Sequence, residues 1–161
     1  MIGDTITVYL RNTFAPYMIV DSAKGYLNSL GEGTFIFISA SNATNYYIIV
    51  KHRNSLETWS ALGQSFVTSQ LIYNFSTSQA QAYGNNLIQV DSSPIRFAIF
   101  SGDVNQDGII EGADLVEVDN DAFNLVTGNV NTDVTGDNFV DGSDLSIVDN
   151  NAFGLVIVRR P

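Results

Sequence analysis

Acidic side chains recur between residues 103 and 144 at a spacing that suits a hard cation. Residues 103–126 read DVNQDGIIEGADLVEVDNDAFNLV and residues 133–156 read DVTGDNFVDGSDLSIVDNNAFGLV, with 13 of the 24 aligned positions identical at an offset of 30. Within each copy, oxygen-bearing groups fall at positions 1, 3, 5, 7, 9 and 12. In the first copy these are Asp103, Asn105, Asp107, the Ile109 carbonyl, Glu111 and Asp114; in the second they are Asp133, Thr135, Asp137, the Phe139 carbonyl, Asp141 and Asp144. Calcium takes about six to eight oxygens, and a twelve-residue loop supplying them in this order wraps one ion. A run of acids is ordinarily a solvated face. Two copies of the same oxygen spacing argue against that here and predict a site for one calcium ion in each loop.

Such a loop constrains the residues around its ligands. Position 6 needs a left-handed backbone, which Gly108 supplies in the first copy and Asn138, the next most tolerant residue type, in the second. The apolar pairs at positions 7 and 8, Ile109–Ile110 and Phe139–Val140, are expected to turn into a core while the backbone at position 7 faces the ion. Thr135 stands at position 3, where the first copy has an amide, so the second site is expected to be the weaker. Each loop should lead into a helix whose apolar stripe is Leu115, Val118, Ala122 and Val126 in the first copy. Asp119 and Asp149 are expected to cap a second short helix at NDAF and NNAF, with an outer-shell place around the ion as the alternative. A short internal repeat of this kind implies two equal units packed about a pseudo-twofold axis.

The stretch GDVNQDG followed by DL, repeated once, resembles type I dockerin repeats, whose loops end in Asp at position 12, as at Asp114 and Asp144. The resemblance covers about residues 101–156. It implies a pair of EF-hand-type calcium loops and, in that family, docking to a cohesin partner. Two departures stand against the partner. The segments VDNDAFNLV and VDNNAFGLV lack the basic, Leu-rich helix that such modules present, and Gly112–Ala113 and Gly142–Ser143 replace the usual Ser-Thr-like recognition pair.

The rest of the chain must carry this unit. The formal net charge is −10, and all of it lies after residue 100, where twelve acids face only Arg159 and Arg160. Residues 1–100 balance five acids with five bases. Such an acidic block disfavours nucleic acid and anionic lipid and invites a multivalent cation. With no cysteine, neither disulfides nor thiolate metal sites are available, so a secreted domain would need another staple. No apolar run reaches the length of a membrane span and no basic-then-apolar leader is present, so any export signal is expected outside this chain.

Residues 1–100 read as short segments rich in β-branched and aromatic residues with Gly, Asn, Ser and Pro between them. The candidate strands are ITVYL, YMIVDSA, GTFIFIS, YYIIVKHR, LETWSA, QSFVTS, LIYNFS, LIQV and RFAIF. Ile6, Val8 and Leu10 alternate at period two, and burying several such faces calls for two packed sheets. The order of a strand pair, GEGTFIF, a polar turn and YYIIVKHRN resembles prealbumin-like sandwiches of the carboxypeptidase-regulatory kind over residues 4–75. That resemblance implies a spacer, stalk or adhesive module.

His52 is the single histidine, with Glu57 and Trp59 close behind, but no nucleophile stands at a recognisable spacing from it. It is expected to end a strand with its polar neighbours in water, and Trp59 to pack in a core in preference to forming a sugar platform. The expected fold is mainly β with a small α part: an antiparallel β-sandwich (1–100) followed by a dockerin-like pair of EF-hand-type calcium loops with short helices and a C-terminal strand (101–161). The expected function is a non-enzymatic, extracellular or cell-surface calcium-binding structural module. Its partner would be either itself, as a homo-oligomer or filament built by strand addition, or a cohesin-like module, with neither nucleic acid nor membrane insertion involved.

Overall fold

A computed structural model describes residues 3–161. It is mainly β, with antiparallel sheets and two α-helices. The central strand β1 (Asp4–Asn12) alternates as its sequence does, burying Ile6, Val8 and Leu10 on one face. It pairs with β2 (Ile19–Leu27) on one side and β3 (Asn45–His52) on the other, with Val8 opposite both Ala23 and Val50. Strand β4 (Ser55–Trp59) folds back on β3 through a tight turn made of Arg53 and Asn54, and β5 (Gln64–Ser65) pairs with the start of β3. A separate hairpin joins β6 (Ile88–Ser92) to β7 (Ile95–Ala98).

The layer facing the large sheet is not a second sheet. Its buried face of Ile6, Val8, Leu10, Tyr46 and Ile48 is covered by Phe35, Phe37, Phe66, Leu71, Tyr73 and Phe75. These come from segments without regular strand ladders. GTFIFIS keeps its alternation, with Phe35 and Phe37 inward and Ile36 and Ile38 outward, yet it forms no strand. Side-chain packing and not backbone pairing holds it. A Cβ at Gly25 would come within 2.8 Å of the Phe35 ring, so the absence of a side chain on β2 lets that ring lie flat against the strand. The Ser39 N–H bonds to the Asp21 carboxylate at 2.7 Å, and that bond holds the carboxyl below its ordinary range.

The repeat forms two helices of equal length, α1 (Gly112–Phe123) and α2 (Gly142–Phe153). Each runs unbroken through its NDAF or NNAF segment. Asp119 and Asp149 are therefore exposed mid-helix residues and cap nothing. The two copies are tied by exchange. The Ile110 N–H bonds the Val156 carbonyl (2.9 Å) and the Val140 N–H bonds the Val126 carbonyl (3.0 Å). Val158 N–H to Gly108 carbonyl (2.9 Å) is likewise matched by Gly128 N–H to Asn138 carbonyl (2.8 Å). Each loop thus pairs with the chain that follows the other copy's helix, and the offset of 30 in sequence becomes an approximate twofold in space.

No linker separates the two halves. Leu56 of β4 is fully buried in a cluster with Val104, Ile110, Val118, Val140 and Val148 from the repeat, and its N–H bonds the Phe100 carbonyl at 2.8 Å. Gly102 N–H bonds the Asn54 carbonyl at 2.7 Å. Gly102 has φ +117° and lies against Ile110 and Val148, so a side chain there would be strained and crowded at once. The C-terminal segment, expected as a strand, forms only the single Ile109–Ile157 bridge, yet it reaches back: Arg160 pairs with Glu57 at 3.0 Å, and the Asn86 amide bonds the Ile157 carbonyl at 3.2 Å.

Candidate functional site

The two loops, residues 103–114 and 133–144, are wound alike by short side-chain-to-backbone bonds. Asp107 N–H bonds the Asn105 side chain and Ile109 N–H bonds the Asp107 carboxylate, each at 2.9 Å; Phe139 N–H bonds Asp137 at 2.9 Å. Position 6 is left-handed in both, with φ +92° at Gly108 and +70° at Asn138. Gln106 at position 4 is also left-handed, at +62°, where its counterpart is Gly136.

Position 12 closes each loop. The Asp114 carboxylate accepts Val104 N–H (2.9 Å) and Asn105 N–H (3.2 Å) on one oxygen and Glu111 N–H (3.0 Å) on the other. Asp144 repeats this with Thr135 N–H (2.8 Å) and Asp141 N–H (2.9 Å). Glu111 and Asp141 are the N-caps of α1 and α2, and Asp114 and Asp144 complete reciprocal capping boxes, so the residue that ends each loop also starts each helix.

Position 1 carries the electrostatic cost. Asp103 and Asp133 at position 1, like Asp114 and Asp144 at position 12, are at most 2% exposed. Asp103 accepts a long 3.4 Å bond from Gly108 N–H. Burial first, then the neighbouring charges of Asp114 and Asp107, push its carboxyl up to about 6. Asp133 is better held: its oxygens accept the N–H groups of Gly136 (2.8 Å), Asp137 (3.1 Å) and Asn138 (3.2 Å). The remaining donors lie nearer the surface, with Asn105, Glu111 and Thr135 half-buried and Asp107, Asp137 and Asp141 exposed.

The apolar residues at positions 7 and 8 divide. Ile110 and Val140 enter the core as expected, but Ile109 and Phe139 point outward, with Phe139 60% exposed. Both outward residues sit in short extended bridges, Ile109 with Ile157 and Phe139 with Thr127. Extended backbone alternates its side chains, so only one of the two neighbours can face inward.

Among the described residues, no three Asp, Glu, His or Cys side chains converge as a ready-made metal cage. A calcium loop does not require that. It draws on amide, hydroxyl and backbone carbonyl oxygens as well, and what each loop supplies is two buried carboxylates at its ends with such oxygens between them. Of the four, Asp103 is the least well bonded, and a cation would offset the cost of burying it. The donor set is oxygen only, and that chemistry fits calcium over zinc or copper.

His52 holds a constellation that its sequence spacing conceals. Its Nε2 lies 2.9 Å from Asp4 and its Nδ1 lies 3.2 Å from the Ser55 hydroxyl, an order of groups known from hydrolases. Ser55, however, is buried and pairs with Ser101, and it does not line the open cleft where Asp4, Lys24, Lys51, His52 and Arg53 gather. Arg53 is not in water either: it bonds Asp4 at 3.0 Å and extends onto the second loop. Trp59 is buried, donates to Glu57 at 2.8 Å and lies under the Arg11 guanidinium, so no flat indole face is offered to a sugar.

Neither a family model, nor a curated protein, nor a solved structure matches the chain.

Proposed function

We propose that the chain is a non-enzymatic, calcium-stapled structural module of the dockerin-like kind, in which residues 103–114 and 133–144 each hold one calcium ion. The observation that carries this reading is the pseudo-twofold pair of loops, each with a buried carboxylate at either end. Asp103, Asn105, Asp107, the Ile109 carbonyl, Glu111 and Asp114 would hold the first ion. Asp133, Thr135, Asp137, the Phe139 carbonyl, Asp141 and Asp144 would hold the second. Calcium supplies no chemistry here beyond charge. Two ions lower the formal charge of residues 101–161 from −10 to −6 and turn mutual repulsion among the loop acids into attraction. An extracellular setting agrees with this, because weak calcium loops fill at the calcium levels found there.

The N-terminal half, read as a prealbumin-like sandwich whose second layer is irregular, serves as the body of a stalk or fibre subunit. Strand β2 forms one edge of the five-stranded order, and strand addition along it by a neighbouring copy is the route to assembly. A second reading, docking of a separate protein by the repeat, is favoured by Phe123 and Leu125 and by their counterparts Phe153 and Leu155. All four are at least 66% exposed, at equivalent places in both copies. Light scattering with and without calcium tests the choice. Growth of assemblies by the pure protein supports the structural reading. A strict monomer at every calcium level contradicts it and leaves docking.

A further inference from the structure

The two loops are equal in pattern but unequal in what touches position 1. In the first loop, the Asp103 carbonyl accepts a 2.6 Å bond from Gln106, a residue of the loop itself. The counterpart of Gln106 in the second loop is Gly136, which has no side chain to offer. There the Asp133 carbonyl is bonded from outside, by Arg53 Nη1 at 3.0 Å and by Asn54 Nδ2 at 2.8 Å. These two residues are the tip of the β3–β4 hairpin. Arg53 Nη1 also donates to the Val130 carbonyl, and its Nη2 lies 3.7 Å from the Asp133 carboxylate. Its Nε bonds Asp4 Oδ2 at 3.0 Å, the same oxygen that His52 reaches at 2.9 Å. The guanidinium is mostly buried, with 18% of its side chain exposed, and Asp133 is almost wholly so.

We propose that Arg53 is a built-in counter-charge for the second loop, one that holds Asp133 in the metal-free protein and opposes a divalent cation there. This rests on the calcium reading of the loops and deepens it. Charges this close in a poorly solvated place are weakly screened. An ion entering the second loop meets a cation already held against its first ligand, while an ion entering the first loop meets none. The first loop therefore fills at lower calcium, and the second fills only as the Arg53–Asp133 contact gives way. Because one guanidinium bridges Asp4 and Asp133, the two are linked: whatever draws Arg53 toward Asp4 strengthens calcium in the second loop, and calcium in the second loop releases Arg53 toward Asp4. Occupancy of the second loop is thereby reported at the start of β1.

The test is a titration of the chelator-stripped full chain with calcium chloride, followed by the amide signals of Gly108 and Asn138, one in each loop. Arg53→Gln is expected to tighten the second loop about tenfold, equivalent to about 1.4 kcal/mol, and to leave the first within twofold. Lys51→Gln, a charge removed from the same cleft without contact to the loop, should change the second loop less than twofold. Asp4→Asn, which leaves the guanidinium wholly to Asp133, should weaken the second loop about threefold, and it decides the matter if Arg53→Gln does not fold. Unchanged or weaker binding in Arg53→Gln, equal tightening by Lys51→Gln, or an unmoved second loop in Asp4→Asn would overturn the proposal. No calcium response at either amide of the unmutated protein is a different result, and it removes the calcium reading itself.

Discussion

Replacing Leu56 with alanine asks whether the two halves stand or fall together. Leu56 belongs to β4, yet its side chain is 0% exposed among Val104, Ile110, Val118, Val140 and Val148 of the repeat. Truncation removes three buried carbons, worth about 2–2.5 kcal/mol in transfer alone, and the cavity left in a rigid core raises the cost to about 3–5 kcal/mol. For a chain of this size each kcal/mol is worth about 2–4 °C, so the midpoint should fall by about 6–20 °C. The molecule carries its own pair of probes. Its single tryptophan, Trp59, lies in β4, and both its α-helices lie in the repeat, so indole fluorescence and helical circular dichroism follow different halves. The expectation is one transition, coincident by both probes and shifted equally by Leu56→Ala. Two separated transitions, or a loss under about 1 kcal/mol, would refute the reasoning that one core spans both halves.

Two further outcomes follow from the loops. Asp103 has a folded-state carboxyl raised to about 6, so the metal-free protein binds an extra proton between about pH 4 and 6 and loses stability as pH rises through that window. Asp4 works the other way: burial opposes its ionisation, but Thr5 N–H, His52 and Arg53 outweigh burial and lower it, so its contribution is lost only as pH falls below the ordinary carboxylate value. Chemical denaturation of stripped protein across pH 3.5–7 should show the Asp103 loss, and saturating calcium should abolish it; a stripped protein most stable at pH 7 would contradict this. Asp144→Asn sets an amide N–H₂ against one of the two backbone donors that bond Asp144 and should cost about 1–3 kcal/mol even in chelator. A cost below about 0.5 kcal/mol in urea melts would mean that the capping box is not holding the loop.

How much of this was legible beforehand depends on the range of the interaction. The left-handed sixth residues and the helices that follow them depend on spacings of one to four residues and stand where the sequence places them, except that α1 ends at Phe123 and leaves Val126 of the expected stripe in the chain beyond it. Period-two alternation locates β1 and the inward Phe35 and Phe37, but alternation does not say whether a backbone finds a ladder partner, so a second sheet is expected where packed chain without ladders and short 3-10 turns stand instead. Ile109 and Phe139 were misplaced because the bridges that turn them outward come from residues 157 and 127. The Arg53 contacts join residues 49 to 80 positions apart. Only one signal for them lay in the sequence: Gly136 at the place of Gln106, an internal cap missing from one of two otherwise matched loops.

Whether two calcium ions staple the C-terminal half is decided by calorimetric titration of calcium into stripped protein, with thermal melts of both forms. Two binding events are expected, the first-loop event tighter, with a large rise in melting temperature on loading. Absence of binding with an unchanged melt would contradict this, and the repeat would then be a packing motif that keeps the outline of a calcium loop without the ion.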